Sequence, residues 1–281
     1  MRPIIGKAGV ALAFLLGVAH AATPLPGPIR VPIRLEHGLP TTQATIGGKP
    51  VTLFIDIGNY QVVGLKTAVL ARVPVTFTGD AESWRDASGR VFSSRIFHAT
   101  GLAAGGLAVA RFDGNELIGD PGNGDYPQDG LIGFGLLHRY QMVFDEAGGQ
   151  LRLYPSSAQG VLQAECGSVG GPLRVENGVL VSEVQTDRGP LRVQWDTGAS
   201  NDVLRPSSIA SRVKDADLLR RYTFDRFDVA GQGAAAQTFV MRPFRAPDVD
   251  AVLGTGFFAR HVVCLDPGHG RVAFRQSKTG A

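Results

Sequence analysis

Apolar and polar residues alternate in short runs along most of this chain. Residues 30–35, 41–46, 51–55, 91–98 and 107–113 alternate or are β-branched, with Gly, Pro or Asp breaks between them. Residues 173–176, 179–185, 191–195, 224–229 and 238–244 repeat that texture. Gly47-Gly48 and Asp187-Arg188-Gly189 sit where hairpin turns belong. Helical periodicity is confined to 65–72 and 206–213, with Pro206 suited to a first turn, and to single turns near 136–140 and 257–261. Residues 119–128 read as an irregular Gly/Pro/Asp loop, and 155–171 as a segment joining two halves. The pattern predicts an all-β chain of two barrel-type lobes with few short helices.

The halves are copies. A shift of 140 residues aligns 32–73 with 172–213 without a gap, and Pro32, Arg34, Glu36, Gly38, Pro50, Asp56, Gly58, Val63, Arg72 and Val73 each meet their own residue type. A shift of 121 aligns 129–155 with 250–276, matching Asp129, Gly133, Gly135, Arg139, Asp145 and Gly149. One unit used twice is therefore expected, with residues 22–158 and 172–281 as lobes and 159–171 between them. The first copy is longer in its middle, which leaves room there for larger loops.

Charge adds little. The chain has 281 residues with 44% hydrophobic and 19% charged, enough for two cores and unlike a disordered chain. Its formal charge is +3, of which Arg2 and Lys7 fall in the first 21 residues. The remainder is too small to argue for nucleic acid. Residues 1–21 read as a cleaved export signal, with a basic start, an apolar run from 10 to 18 and Ala19-His20-Ala21 as the cleavage site. No later segment reads as a membrane span, so a periplasmic or secreted protein is expected. In that oxidising setting Cys166 and Cys264 can pair; two separately buried thiols are the alternative.

The candidate chemistry is one carboxylate per copy. Phe54-Ile55-Asp56-Ile57-Gly58 and Gln194-Trp195-Asp196-Thr197-Gly198 each place an Asp-x-Gly turn after a strand. Each is followed downstream by an apolar-apolar-Gly strand, Leu131-Ile132-Gly133 and Val252-Leu253-Gly254. Two carboxylates brought together across a pseudo-twofold axis can share a proton and activate water. In these motifs, and in closing hairpins near Asp145 and Asp266, the chain resembles the aspartic protease superfamily of pepsin and the retroviral enzymes. The resemblance implies a bilobal monomer, catalytic Asp56 and Asp196, and support from Gly58, Gly198, Thr197 and Asn59. It implies a peptide or protein substrate between the lobes, with neither cofactor nor metal. Ala87, Ser88 and Gly89 form a candidate flap, echoed at 228–231; hairpins in both lobes are closer to the retroviral-type enzymes.

Two departures qualify the reading. Ile57 replaces the usual threonine, removing one cross-loop hydroxyl, which also admits a peptide-binding protein with impaired catalysis. After each Gly the family often places a hydroxyl that donates to the Asp; here stand Asn59, able to donate, and Ala199, unable. Without that donor at Asp196 an activity optimum nearer neutrality is expected. Asp266-Pro267-Gly268-His269-Gly270 has the look of a metal motif, but its counterpart 145–149 carries no histidine, so it reads as a hairpin turn.

Overall fold

The computed structural model describes residues 25, 27–85, 91–117, 126–211, 220–229, 231–244, 246, 248 and 249–278. The expected export segment and the candidate flap residues Ala87, Ser88 and Gly89 lie outside these, as do 119–125 of the expected irregular loop. The protein is all-β, two barrel-like lobes with a central sheet between them, and four short helices among the described residues.

Each lobe is built on the same crossing. In the first, the strand Lys49–Asp56 runs parallel to Gly130–Gly133, which is antiparallel to Val63–Lys66, which in turn is parallel to Leu107–Leu117. In the second, Gly189–Trp195, Ala251–Leu253, Val203–Leu204 and Gln237–Met241 repeat that order and those directions. The late strand of each copy thus slides between the two strands flanking its Asp-x-Gly turn. Its apolar residues are buried on both faces, which is why it reads as Leu-Ile and Val-Leu rather than alternating.

A six-stranded sheet joins the copies at its middle. Tyr140–Asp145 pairs antiparallel with His261–Asp266, and Val143 lies opposite Cys264, its own counterpart at a shift of 121. A residue facing its duplicate marks the pseudo-twofold axis. At the edges Pro32 opposite Gln150 is matched by Pro172 opposite Arg271. Alternation sorts the sheet's faces. Met142, Phe144, Val263, Leu265, Val272 and Phe274 join the main core, while Val143, Val262, Cys264 and Ala273 face a smaller cluster capped by the helix Val161–Cys166. Cys166 and Cys264 form a disulfide there, so the joining segment is covalently tied to the sheet.

Several boundaries differ from the sequence reading. Residues 65–72 split into the strand Val63–Lys66 and a one-turn helix Thr67–Leu70. At 206–213 only the 3-10 turn Pro206–Ser208 is seen, with 212–213 outside the described residues. Residues 224–229 are two strands, Arg221–Phe224 and Phe227–Val229, broken at Asp225-Arg226. The middle of the longer first copy includes one long hairpin, Val75–Arg85 paired with Val91–Ala104. Strand Val75–Arg85 escaped the pattern because Gly79 and six charged or polar residues leave it few apolar positions.

Candidate active site

The two Asp-x-Gly turns end the strands Lys49–Asp56 and Gly189–Trp195 and meet across the pseudo-twofold axis. From Val51 to Tyr60 and from Leu191 to Ser200 the sequence of buried, half-buried and exposed positions is identical, residue for residue. Tyr60 packs on Gly178 of the other lobe, and Ser200, its counterpart, packs on Gly38. Each loop is thus seated on the opposite copy's first hairpin.

The glycines are there for space. A Cβ on Gly58 would stand 2.2 Å from the Asp196 carboxyl carbon, and one on Gly198 would stand 2.5 Å from that of Asp56. Any side chain at either position would push the opposite carboxylate out. With glycine in both, each carboxyl group rests on the other loop's backbone, and the two carboxyls face one another closely enough for each to bear on the other's protonation.

Backbone donors hold the inner oxygens. Gly58 N–H donates to Asp56 Oδ1 at 3.0 Å and Gly198 N–H to Asp196 Oδ1 at 2.9 Å. The next N–H in each loop, of Asn59 and Ala199, also favours the ionised carboxylate. Asn59 therefore serves Asp56 through its backbone N–H. Its side-chain Oδ1 accepts from Gln61 N–H at 2.9 Å. Behind the turns, Phe134 N–H donates to Asn59 O at 2.7 Å and Thr255 N–H to Ala199 O at 2.9 Å, again as counterparts.

The cross-loop hydroxyl is one-sided. Thr197 Oγ1 accepts from Ile57 N–H at 3.2 Å and donates to Ile55 O at 2.7 Å, tying its loop to the other. Ile57 is fully buried in the core and offers no hydroxyl in return. One residue that sequence reasoning missed lies beside Asp196: Gln194 Nε2 is 3.4 Å from Asp196 Oδ2, a long contact. Its counterpart is Phe54, so the signal was a polar residue in one copy where the other is aromatic.

Electrostatics separates the two acids. Burial lifts the Asp56 carboxyl well above its ordinary range, and the facing Asp196 charge and the hydrogen bond to it lift it further. Asp196 is also raised by burial, but the Gly198 N–H, the Asp56 hydrogen bond and the Ala199 N–H pull it back. Both carboxyls are thus raised by burial and bear on one another, so the two titrate as a coupled pair that favours sharing one proton. Behind the second loop lies another buried acid pair. Asp202 accepts from Gly254 N–H at 2.8 Å, Phe257 N–H at 3.1 Å and Gln237 Nε2 at 2.6 Å, and burial pushes it up to about 6. Glu146, on the turn after Asp145, is buried with neither carboxyl oxygen partnered; burial and the Asp202 charge push it up to about 8.

A carboxylic acid and a carboxylate in contact, on rigid turns and with their inner oxygens fixed, can give and take a proton in one step. No family model matches the chain, and no curated protein matches it.

Proposed function

We propose that this protein is an aspartic endopeptidase, hydrolysing peptide bonds with a water molecule activated between Asp56 and Asp196. The observation that carries this reading is the contact of those two carboxyls across the pseudo-twofold axis, each seated on the other copy's glycine. Asp196, ionised, removes a proton from the water as it attacks the scissile carbonyl carbon. Asp56, protonated, donates to the carbonyl oxygen; the resulting gem-diol then collapses as Asp196 passes its proton to the leaving amine and Asp56 takes one back from a gem-diol hydroxyl, which restores the starting pair. The fixed N–H donors keep the carboxyls in place through the cycle. No covalent enzyme intermediate is needed.

The substrate is an extended peptide lying between the lobes, beneath the long hairpin of Val75–Arg85 and Val91–Ala104. Tyr60 OH reaches Glu82 Oε1 on that hairpin at 3.1 Å, which links it to the Asp56 turn. Export to an oxidising compartment is supported by the Cys166–Cys264 bridge and by residues 1–21. Among the described residues no helix is long and apolar enough to cross a membrane.

One observation favours a second reading, a peptide-binding protein that does not cleave: Ile57 supplies no hydroxyl to the opposite loop. Digestion of a mixed peptide library from pH 3 to 7, with Asp56→Asn and Asp196→Asn beside the wild type, separates the two. The endopeptidase reading predicts internal cleavages lost in both variants, with an optimum above pH ~3.5 because burial holds both acids high. Binding of the same peptides without any cleavage supports the second reading.

A further inference from the structure

On the far side of the central sheet from Asp56 and Asp196 lies a cavity of about 270 Å³. The sheet itself separates the two places, since Val143, Val262, Cys264 and Ala273 face this side and their neighbours in sequence face the main core. One wall is apolar: Val161 and Leu162 of the joining helix, and Val169, which is 72% exposed. The other wall is the hairpin turn Asp266–Arg271.

Comparison of the two copies shows what the fold needs at this turn and what it does not. In both, the aspartate oxygen accepts a backbone N–H three residues on: Gly148 N–H to Asp145 Oδ1 at 2.9 Å, and His269 N–H to Asp266 Oδ1 at 3.1 Å. A glycine satisfies that role in the first copy, so the turn does not require the imidazole of His269. In the second copy the ring is oriented as well: its Nδ1 lies 2.8 Å from Asp266 Oδ2. With Nδ1 turned to Asp266, Nε2 is the ring nitrogen left for the cavity, and it donates there when the ring carries both protons. Arg271 stands on the same rim, anchored through Nη1 to Gly170 O at 3.2 Å with further donors to spare. The first copy has Gln150 at that position. Both cationic-type groups of the rim are thus additions to the second copy alone.

We propose that this cavity binds a carboxylate carried on a short aliphatic group, with His269 and Arg271 holding the carboxylate and Val161, Leu162 and Val169 the aliphatic part. An Arg guanidinium pairs with carboxylate oxygens through two parallel N–H bonds. The volume is at the small end for ligand sites, matching an acid of a few carbons. The walls are preorganised, because the Cys166–Cys264 bridge pins the helix to the sheet. A free small acid and the C-terminal residue of a polypeptide present the same chemistry.

The test is a titration of the labelled full chain with 4-methylpentanoate, followed by backbone amide shifts. Saturable shifts confined to 161–163, 169–170 and 269–271 are expected. The neutral 4-methylpentanamide should bind at least about tenfold more weakly, as should the acid to His269→Gln or Arg271→Gln. Asp56→Asn should leave the affinity unchanged, so the site stands or falls separately from the endopeptidase reading. An Ala-Ala-Leu peptide binding more tightly than the acid identifies a polypeptide terminus as the occupant; weaker binding identifies a free acid. No saturable shift at these residues, or equal binding of acid and amide, overturns the proposal.

Discussion

Glu146 is a buried acid with no partner for either oxygen, and its consequence for stability can be worked out. In the unfolded chain its carboxyl ionises near 4.5, whereas in the folded protein burial and the Asp202 charge hold it to about 8. The folded state therefore keeps a proton that the unfolded state releases. Stability from this group is fully present below pH 4.5 and is lost as pH rises to 8. At ~1.36 kcal/mol per pH unit the loss is about 3 kcal/mol by pH 7 and about 5 by pH 8. Asp202, pushed from 3.8 to about 6, acts in the same direction over a lower window, with Arg260 at 3.5 Å opposing it. Glu146→Gln removes the titration while keeping shape, so the variant should gain on the wild type by about 3 kcal/mol between pH 4.5 and 7. Denaturant unfolding at pH 4.5, 6, 7 and 8 reads this directly. Parallel curves for the two proteins, with a constant difference at every pH, would refute the reasoning.

Three other outcomes follow from the same contacts. Gly198→Ala places a Cβ against the Asp56 carboxyl, so peptide turnover should fall by about 100-fold or more while far-UV circular dichroism is retained. Thr197→Val keeps the volume but strips the hydroxyl from Ile57 N–H and Ile55 O, two groups buried between the loops. A loss of roughly 2–4 kcal/mol in denaturant unfolding is expected, and less than about 0.5 would show that the cross-loop tie is not structural. Replacing both Cys166 and Cys264 by Ala opens a loop with a sequence separation of 98, lowering stability by about 4 kcal/mol; an unchanged melting curve would contradict this.

Much of the fold could be read from the chain because it is written twice. Asp56 and Asp196, Gly58 and Gly198, and the strands ending at Gly133 and Gly254 identify themselves by register, without any geometry. Hairpins at Gly47-Gly48 and at Asp187-Arg188 were legible because turn chemistry is local. What stayed hidden depends on which surfaces meet. Asn59 offers Asp56 its backbone N–H, while its side-chain oxygen accepts from Gln61 N–H, a pairing set by the fold of the loop. Gln194 and Asp202 are polar where the first copy has Phe54 and Val62, but only packing shows that one meets the Asp196 carboxylate and the other a strand terminus. Glu146 sits on a turn that composition alone assigns to solvent, yet it is buried and feels the charge of Asp202 from the other lobe.

The account rests on two acidic side chains from duplicate turns holding a single proton between them. Carbon-13 labelling of aspartate carboxyls, with Asp56→Asn and Asp196→Asn used to identify the signals, follows each group through a pH titration. Two coupled steps are predicted, the higher one well above the ordinary aspartate value of ~3.9, with Asp56 ionising at lower pH once Asp196 is replaced. Two independent signals that both titrate near 3.9 and ignore each other's replacement would contradict the account.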